Sequence, residues 1–92
     1  MDKKLPKEDE VLVIKLANKV AGVRGIHDLR TRSSGYVKFI QLHLELDDEQ
    51  TLLAAHQKSD EVDFILKEAF PDADILIHLD PISTVPEEKR SN

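Results

Sequence analysis

The chain has 92 residues, with 13 Lys and Arg against 18 Asp and Glu, a formal net charge of −5, four histidines and no cysteine. A single domain of this size buries a modest share of its surface, so a second subunit or a bound ion is expected to help it, and neither a disulfide nor a thiolate metal site is available to do so. The acidic balance and the lack of a basic run argue against a nucleic-acid partner; no apolar stretch nears the roughly 20 residues that span a bilayer, and Met1-Asp2-Lys3-Lys4 is not followed by a signal-type apolar core.

Pro6 suits the first turn of a helix, and Glu8, Asp9 and Glu10 follow it at the positive end of the helix dipole. Val11, Ile14, Leu16, Ala17, Val20 and Ala21 then recur near helical spacing until Gly22, which predicts a first helix of about four turns. Residues 23–32 read as a strand closed by the turn Ser33-Ser34-Gly35, and a hairpin leads into a second strand. There Tyr36, Ile40, Leu42, Leu44 and Leu46 fall on one face, and Gln41, His43 and Glu45 on the other.

Asp47 or Asp48 is placed to cap a second helix over residues 49–70, with Leu52, Ala55, Ser59, Val62, Leu66 and Ala69 as its stripe and Pro71 as its end. His56 lies at the margin of that stripe. The last strand, residues 73–80, sends Ile75, Ile77 and Leu79 toward the helices and Leu76, His78 and Asp80 the other way. The order is α-β-β-α-β: an α/β (α+β) open sandwich with both helices on one face of a three-stranded sheet, akin to ferredoxin-like and metallochaperone-like folds. The uncovered sheet face suggests an approaching second protomer. Residues 1–85 form the expected domain, and Pro86 to Asn92 an expected loose polar tail.

The chemistry-bearing residues are His27, His43, His56, His78 and Asp80. Imidazole and carboxylate are ligands for zinc and neighbouring divalent metals, and His78 and Asp80, two apart on a strand, share a face. Each has a blander reading. The histidines are scattered rather than set in a finger pattern, and Asp80-Pro81 is also a common turn start. Glu45, Asp47 and Asp48, a run of acids at a strand end, read as a solvated helix cap, and Arg30 and Arg32 as surface or interface charges. No nucleophile with a positioned base, phosphate loop or zinc-protease helix is present, so the chain is not expected to be an enzyme.

The segments Gly25-Ile26-His27-Asp28-Leu29-Arg30-Thr31-Arg32, Lys38-Phe39-Ile40-Gln41-Leu42-His43-Leu44-Glu45, Ala54-Ala55-His56 and Ile77-His78-Leu79-Asp80-Pro81 resemble the cytoplasmic C-terminal domain of cation diffusion facilitators, in the branch that exports zinc and ferrous iron. The resemblance runs from Leu5 to Pro86. It implies a metallochaperone-like fold paired with a twofold mate on the cytoplasmic face of the bacterial inner membrane. It also implies a two-zinc site with ligands at His27, His43, His56, His78 and Asp80, the aspartate bridging the ions. Leu79 stands where that branch has a glutamine serving as an accessory group, and Asp2 falls at the position of a charged hinge residue. By the same resemblance the six membrane helices of the transporter would precede Met1, and this chain would be its regulatory domain. Fe2+, Cd2+ and Mn2+ suit the same donors as Zn2+. Two other readings remain: a stand-alone dimerisation module with an incidental metal site, and a soluble metallochaperone, although carriers of that shape use a Cys-x-x-Cys pair.

Overall fold

In a computed structural model, residues 3–90 are described, and Asp2 and the last two tail residues lie outside them. The elements are α1 (Lys7–Asn18), β1 (Val23–Ser34), β2 (Val37–Leu46), α2 (Leu52–Ala69) and β3 (Ala73–Pro81), followed by single 3-10 turns at Ile82–Thr84 and Glu87–Lys89. The sheet order is β1-β2-β3, with β2 antiparallel to β1 and parallel to β3. A parallel pair needs a crossover, and α2 supplies it.

The core lies between the sheet and the two helices. Ile40, Leu42, Leu44 and Leu46 of β2 pack with Val13 and Ala17 of α1 and with Val62 and Leu66 of α2, while Ile75, Ile77 and Leu79 of β3 close its side. Both faces of the last strand therefore fall as the alternation of its sequence requires. Leu76, on the uncovered face, is 55% exposed. Among the described residues no helix is long and apolar enough to cross a membrane.

Several local expectations are corrected. Helix α1 buries Val13 and Ala17 with Leu16 packed beside them, and Val20 just past its end continues the stripe, whereas Val11 and Ile14 face outward. The helix is apolar on two sides, so its spacing alone did not fix its phase. β1 runs on through Ser33 and Ser34, and the turn is Gly35-Tyr36, with Gly35 at φ +62°. Tyr36 thus sits in the turn, almost fully exposed, and not on the inner face of β2. Helix α2 starts at Leu52 because the Thr51 hydroxyl, rather than an aspartate, accepts from the Ala54 N–H. Leu52, in that first turn, is exposed.

The two aspartates have other tasks. Asp47 pairs with Arg24 of β1, and Asp48 accepts the Ser83 N–H at 3.1 Å, fastening the 3-10 turn after β3. At the chain's start, the Leu5 N–H donates to the Thr31 hydroxyl, which in turn donates to Glu10 and so ties α1 to β1. At its end Arg90 donates to the carbonyls of Ile82 and Val85, and Lys89 lies 3.5 Å from Asp28, so residues 86–90 fold back against the domain.

Two measurements check this packing. Leu66→Ala, at a fully buried site, should cost about 2–5 kcal/mol and Thr51→Ala about 1 kcal/mol in urea denaturation. Hydrogen bonds from the Ser83 side chain and then its backbone hold the Asp48 carboxyl below its ordinary value of 3.8. A depressed folded value means that this contact is intact above the ordinary range and is lost as pH falls through the lower one. The Ser83 amide proton should therefore titrate with a midpoint below 3.8 in NMR spectra.

Candidate metal centre

The site is built by strand register. His27 of β1 pairs with His43 of β2, and His43 pairs with His78 of β3, so three imidazoles stand in one row across the sheet. Adjacent strands are about 4.8 Å apart, close to ring-stacking distance. The rings of His27 and His43 have centroids 5.1 Å apart, and those of His43 and His78 4.4 Å with an interplanar angle of 12°. All three point to the face without helices. The next row holds Gly25, Glu45 and Asp80. Gly25 contributes no side chain to that row, and both carboxylates of the row lie within hydrogen-bond distance of imidazole nitrogens.

A bulge in β1 makes this row compatible with the rest of the strand. Between His27 and Arg30 the register shifts, with β1 advancing three residues while β2 advances two. Asp28 in the bulge has φ +50°, a left-handed conformation that aspartate tolerates better than most residues. The extra residue resets the alternation. His27 lies on the open face, Leu29 packs on the core, Thr31 is buried, and Arg30 and Arg32 return to the outside. Arg32 there covers the Phe39 ring at 4.4 Å, beside an open cleft of about 490 Å³ that Arg30, Gln41 and Leu76 also line.

Asp80 is the point of convergence. Its Oδ2 lies 2.9 Å from His43 Nδ1 and 3.2 Å from His27 Nε2. These three groups each offer a ligand atom, all within 4.8 Å of one another. Zinc bonds of roughly 2.0–2.1 Å put tetrahedral donor atoms about 3.3 Å apart, a few tenths of an ångström beyond the two contacts of Asp80. On the Asp80 side the spacing of the donors is thus close to that of zinc ligands. His78 stacks on His43, and its Nε2 is buried without a hydrogen-bond partner, an open coordination position in chemical terms.

His56 is not brought to this cluster. It stands exposed on α2, 3.4 Å from Asp60 one turn on. A cavity of about 280 Å³, lined by Leu52 and Ala55 of α2 and by Leu79 and Asp80, lies between that end of the helix and the strand. Leu79 pairs with Leu44 and packs on the core, so a side chain at this position faces the helices rather than the imidazoles.

Glu45 corrects the expectation of a solvated cap. It is 1% exposed, and its Oε2 lies 2.8 Å from His27 Nδ1. The available signal was parity: Leu46 continues β2 as a core residue, so Glu45 belongs to the same face as His43 and not to a strand end.

Helices on one side of a three-stranded sheet and a histidine–carboxylate cluster on the other define a small domain of the open-sandwich class with a candidate metal site. Residues 5–82 match the family of cytoplasmic domains of cation efflux proteins, and the chain belongs to that family. It is 48% identical over 90 residues to the cation-efflux pump FieF of Pectobacterium atrosepticum and 47% identical over 90 residues to that of Serratia proteamaculans. In each case 98% of this chain is covered, but it spans only 30% of the relative's length. Among solved structures, the zinc form of CzrB superposes with a TM-score of 0.82 at 28% identity, covering 95% of this chain and all of that one. A nickel form of a MamM CTD variant, at 21% identity and TM-score 0.76 over 83% of this chain and 98% of its own, shares the fold.

The bulge is directly testable. Asp28→Asn should be close to wild type in urea denaturation, whereas Asp28→Val, with a branched side chain at positive φ, should lose about 1 kcal/mol.

Proposed function

We propose that this chain is the metal-sensing, dimerising part of a cation efflux pump, working on the cytoplasmic face of a bacterial inner membrane beneath the membrane domain of the same transporter. The observation that carries this reading is the meeting of His27 Nε2, His43 Nδ1 and Asp80 Oδ2 in a member of a cation efflux family. The proposed ligands are His27, His43, His78 and Asp80 by proximity, with His56 added by family resemblance. Zn2+ is the preferred ion, up to two per protomer with Asp80 between them. Fe2+, Cd2+ and Mn2+ use the same donors, and availability decides among them. Residues 1–85 form the regulatory unit, and 86–92 its appended tail.

The FieF relatives are named as pumps and CzrB was solved in a zinc form, which supports metal as the signal. A bound divalent cation supplies positive charge where carboxylates face one another, and this chain's residues determine what that charge does. Asp80 joins β3 to the imidazoles of β1 and β2, so its contacts link all three strands. On the open face the exposed Leu76 and Arg30 are placed to meet a second protomer. If one arrangement of two protomers binds metal more tightly, metal shifts the population toward it by its differential affinity. The membrane domains would then feel the angle between the two copies. Ligation needs neutral imidazole, so binding weakens in acid.

Calorimetry with zinc tests the assignment. His78→Ala with Asp80→Ala should weaken binding by more than the roughly 10–100-fold that loss of an outer partner costs. Wild-type affinity in that double variant would remove these residues from the site. Small-angle scattering with zinc and with chelator separates the reading from a stand-alone dimerisation module: the sensor changes shape or association state, and the module does not.

A further inference from the structure

We propose that Glu45 is a positioning residue of the metal site: a buried carboxylate that holds His27 by Nδ1 and so turns Nε2 toward Asp80 and His43. This rests on the metal-binding reading above. The geometry separates the two carboxylates of the Gly25-Glu45-Asp80 row. Asp80 approaches the cluster on the side where His27 Nε2 and His43 Nδ1 converge, and it remains 29% exposed. Glu45 stands on the remote side of the His27 ring, 2.8 Å from Nδ1, and is 1% exposed.

An ionised carboxylate only accepts hydrogen bonds, so Glu45 holds a proton on Nδ1, and with an ion between Nε2 and Asp80 the Nε2 lone pair is the one offered to it. Nε2 is the His27 nitrogen that lies 3.2 Å from Asp80. The imidazole is thereby anchored through one nitrogen and offered through the other. Strand register makes the anchor possible, because Glu45 is the diagonal neighbour of His27 across the β1–β2 pair.

A neutral acceptor would orient the ring equally well, but only a carboxylate also gains the attraction of a cation on the far side of the same imidazole. The carboxylate then strengthens the donor power of Nε2, the arrangement in which outer partners tune a metal ligand. Glu45 therefore acts through His27 and touches no ion itself.

The test uses the full chain with Zn2+ as the probe, and compares wild type with Glu45→Gln and Glu45→Ala. Glu45→Gln keeps the shape and an acceptor for Nδ1–H while removing the charge, and should bind zinc about 10–100-fold more weakly; Glu45→Ala should be weaker still. In a His27→Ala background Glu45→Gln should have no further effect on zinc affinity, whereas a purely structural role would lower it again. In metal-free protein, 15N NMR should find a hydrogen-bonded Nδ1–H on His27 in wild type and Glu45→Gln, and that hydrogen bond should be lost in Glu45→Ala. Equal zinc affinity in all three proteins, or X-ray absorption showing a ligand lost in Glu45→Gln, would overturn the proposal. If wild type binds no zinc yet Glu45→Ala loses the Nδ1–H hydrogen bond of His27, the metal reading fails and the positioning of His27 by Glu45 stands.

Discussion

The register of β2 against both of its neighbours is the constraint on which the rest of this structure depends. β2 is the central strand, antiparallel on one side and parallel on the other. Its alternation must therefore suit two partners at once. The even-numbered residues from Ile40 to Leu46 are sealed against the helices, which pins the register, because a one-residue slip would send four buried aliphatic side chains to the other face. Once that is fixed, Gln41, His43 and Glu45 have no choice of side. The imidazole row is a consequence of the hydrophobic core rather than a separate construction.

The two faces of the sheet divide the work. The inner one is aliphatic, with Leu42 and Leu44 fully buried between the helices and the strands. The outer one grades from the carboxylates Glu45 and Asp80, through the histidines, to Gln41 and Arg30, and finally to Arg32 stacked on Phe39. Only the carboxylate end is folded into a tight cluster. The arginine end remains open, and that asymmetry leaves the histidine–carboxylate cluster well supported while the arginine end borders the open cleft.

Much of this was legible in the sequence, and the exceptions have physical causes. The element order, the faces of β2 and β3, and the sides taken by His43, His78 and Asp80 follow from strict alternation, which a strand enforces through its pleat. The phase of α1 was not legible, because Val11, Leu12, Val13 and Ile14 are consecutive apolar residues and only packing against α2 and β1 selects Val13. Glu45 was misread because Asp47 and Asp48 beside it are exposed acids, and composition does not tell where a strand ends. No spacing in the sequence announces that His27 meets His43, since the pairing depends on the register shift between His27 and Arg30 in β1. His56 is the remaining case: the family pattern groups it with the others, while the helix carries it to a separate exposed surface.

The bulge at Asp28 also partitions β1 into two segments that answer to different demands. Ahead of it, Gly25 and His27 are held by the facing carboxylate and imidazole; beyond it, Thr31 and the two arginines serve the α1 contact and the open cleft. Because the left-handed residue absorbs the change of parity, substitutions in the arginine segment can remodel one end of the sheet surface without rotating His27 out of its row. A single strand thus behaves as two separately adjustable modules, one set by the histidine–carboxylate row and the other by the open cleft.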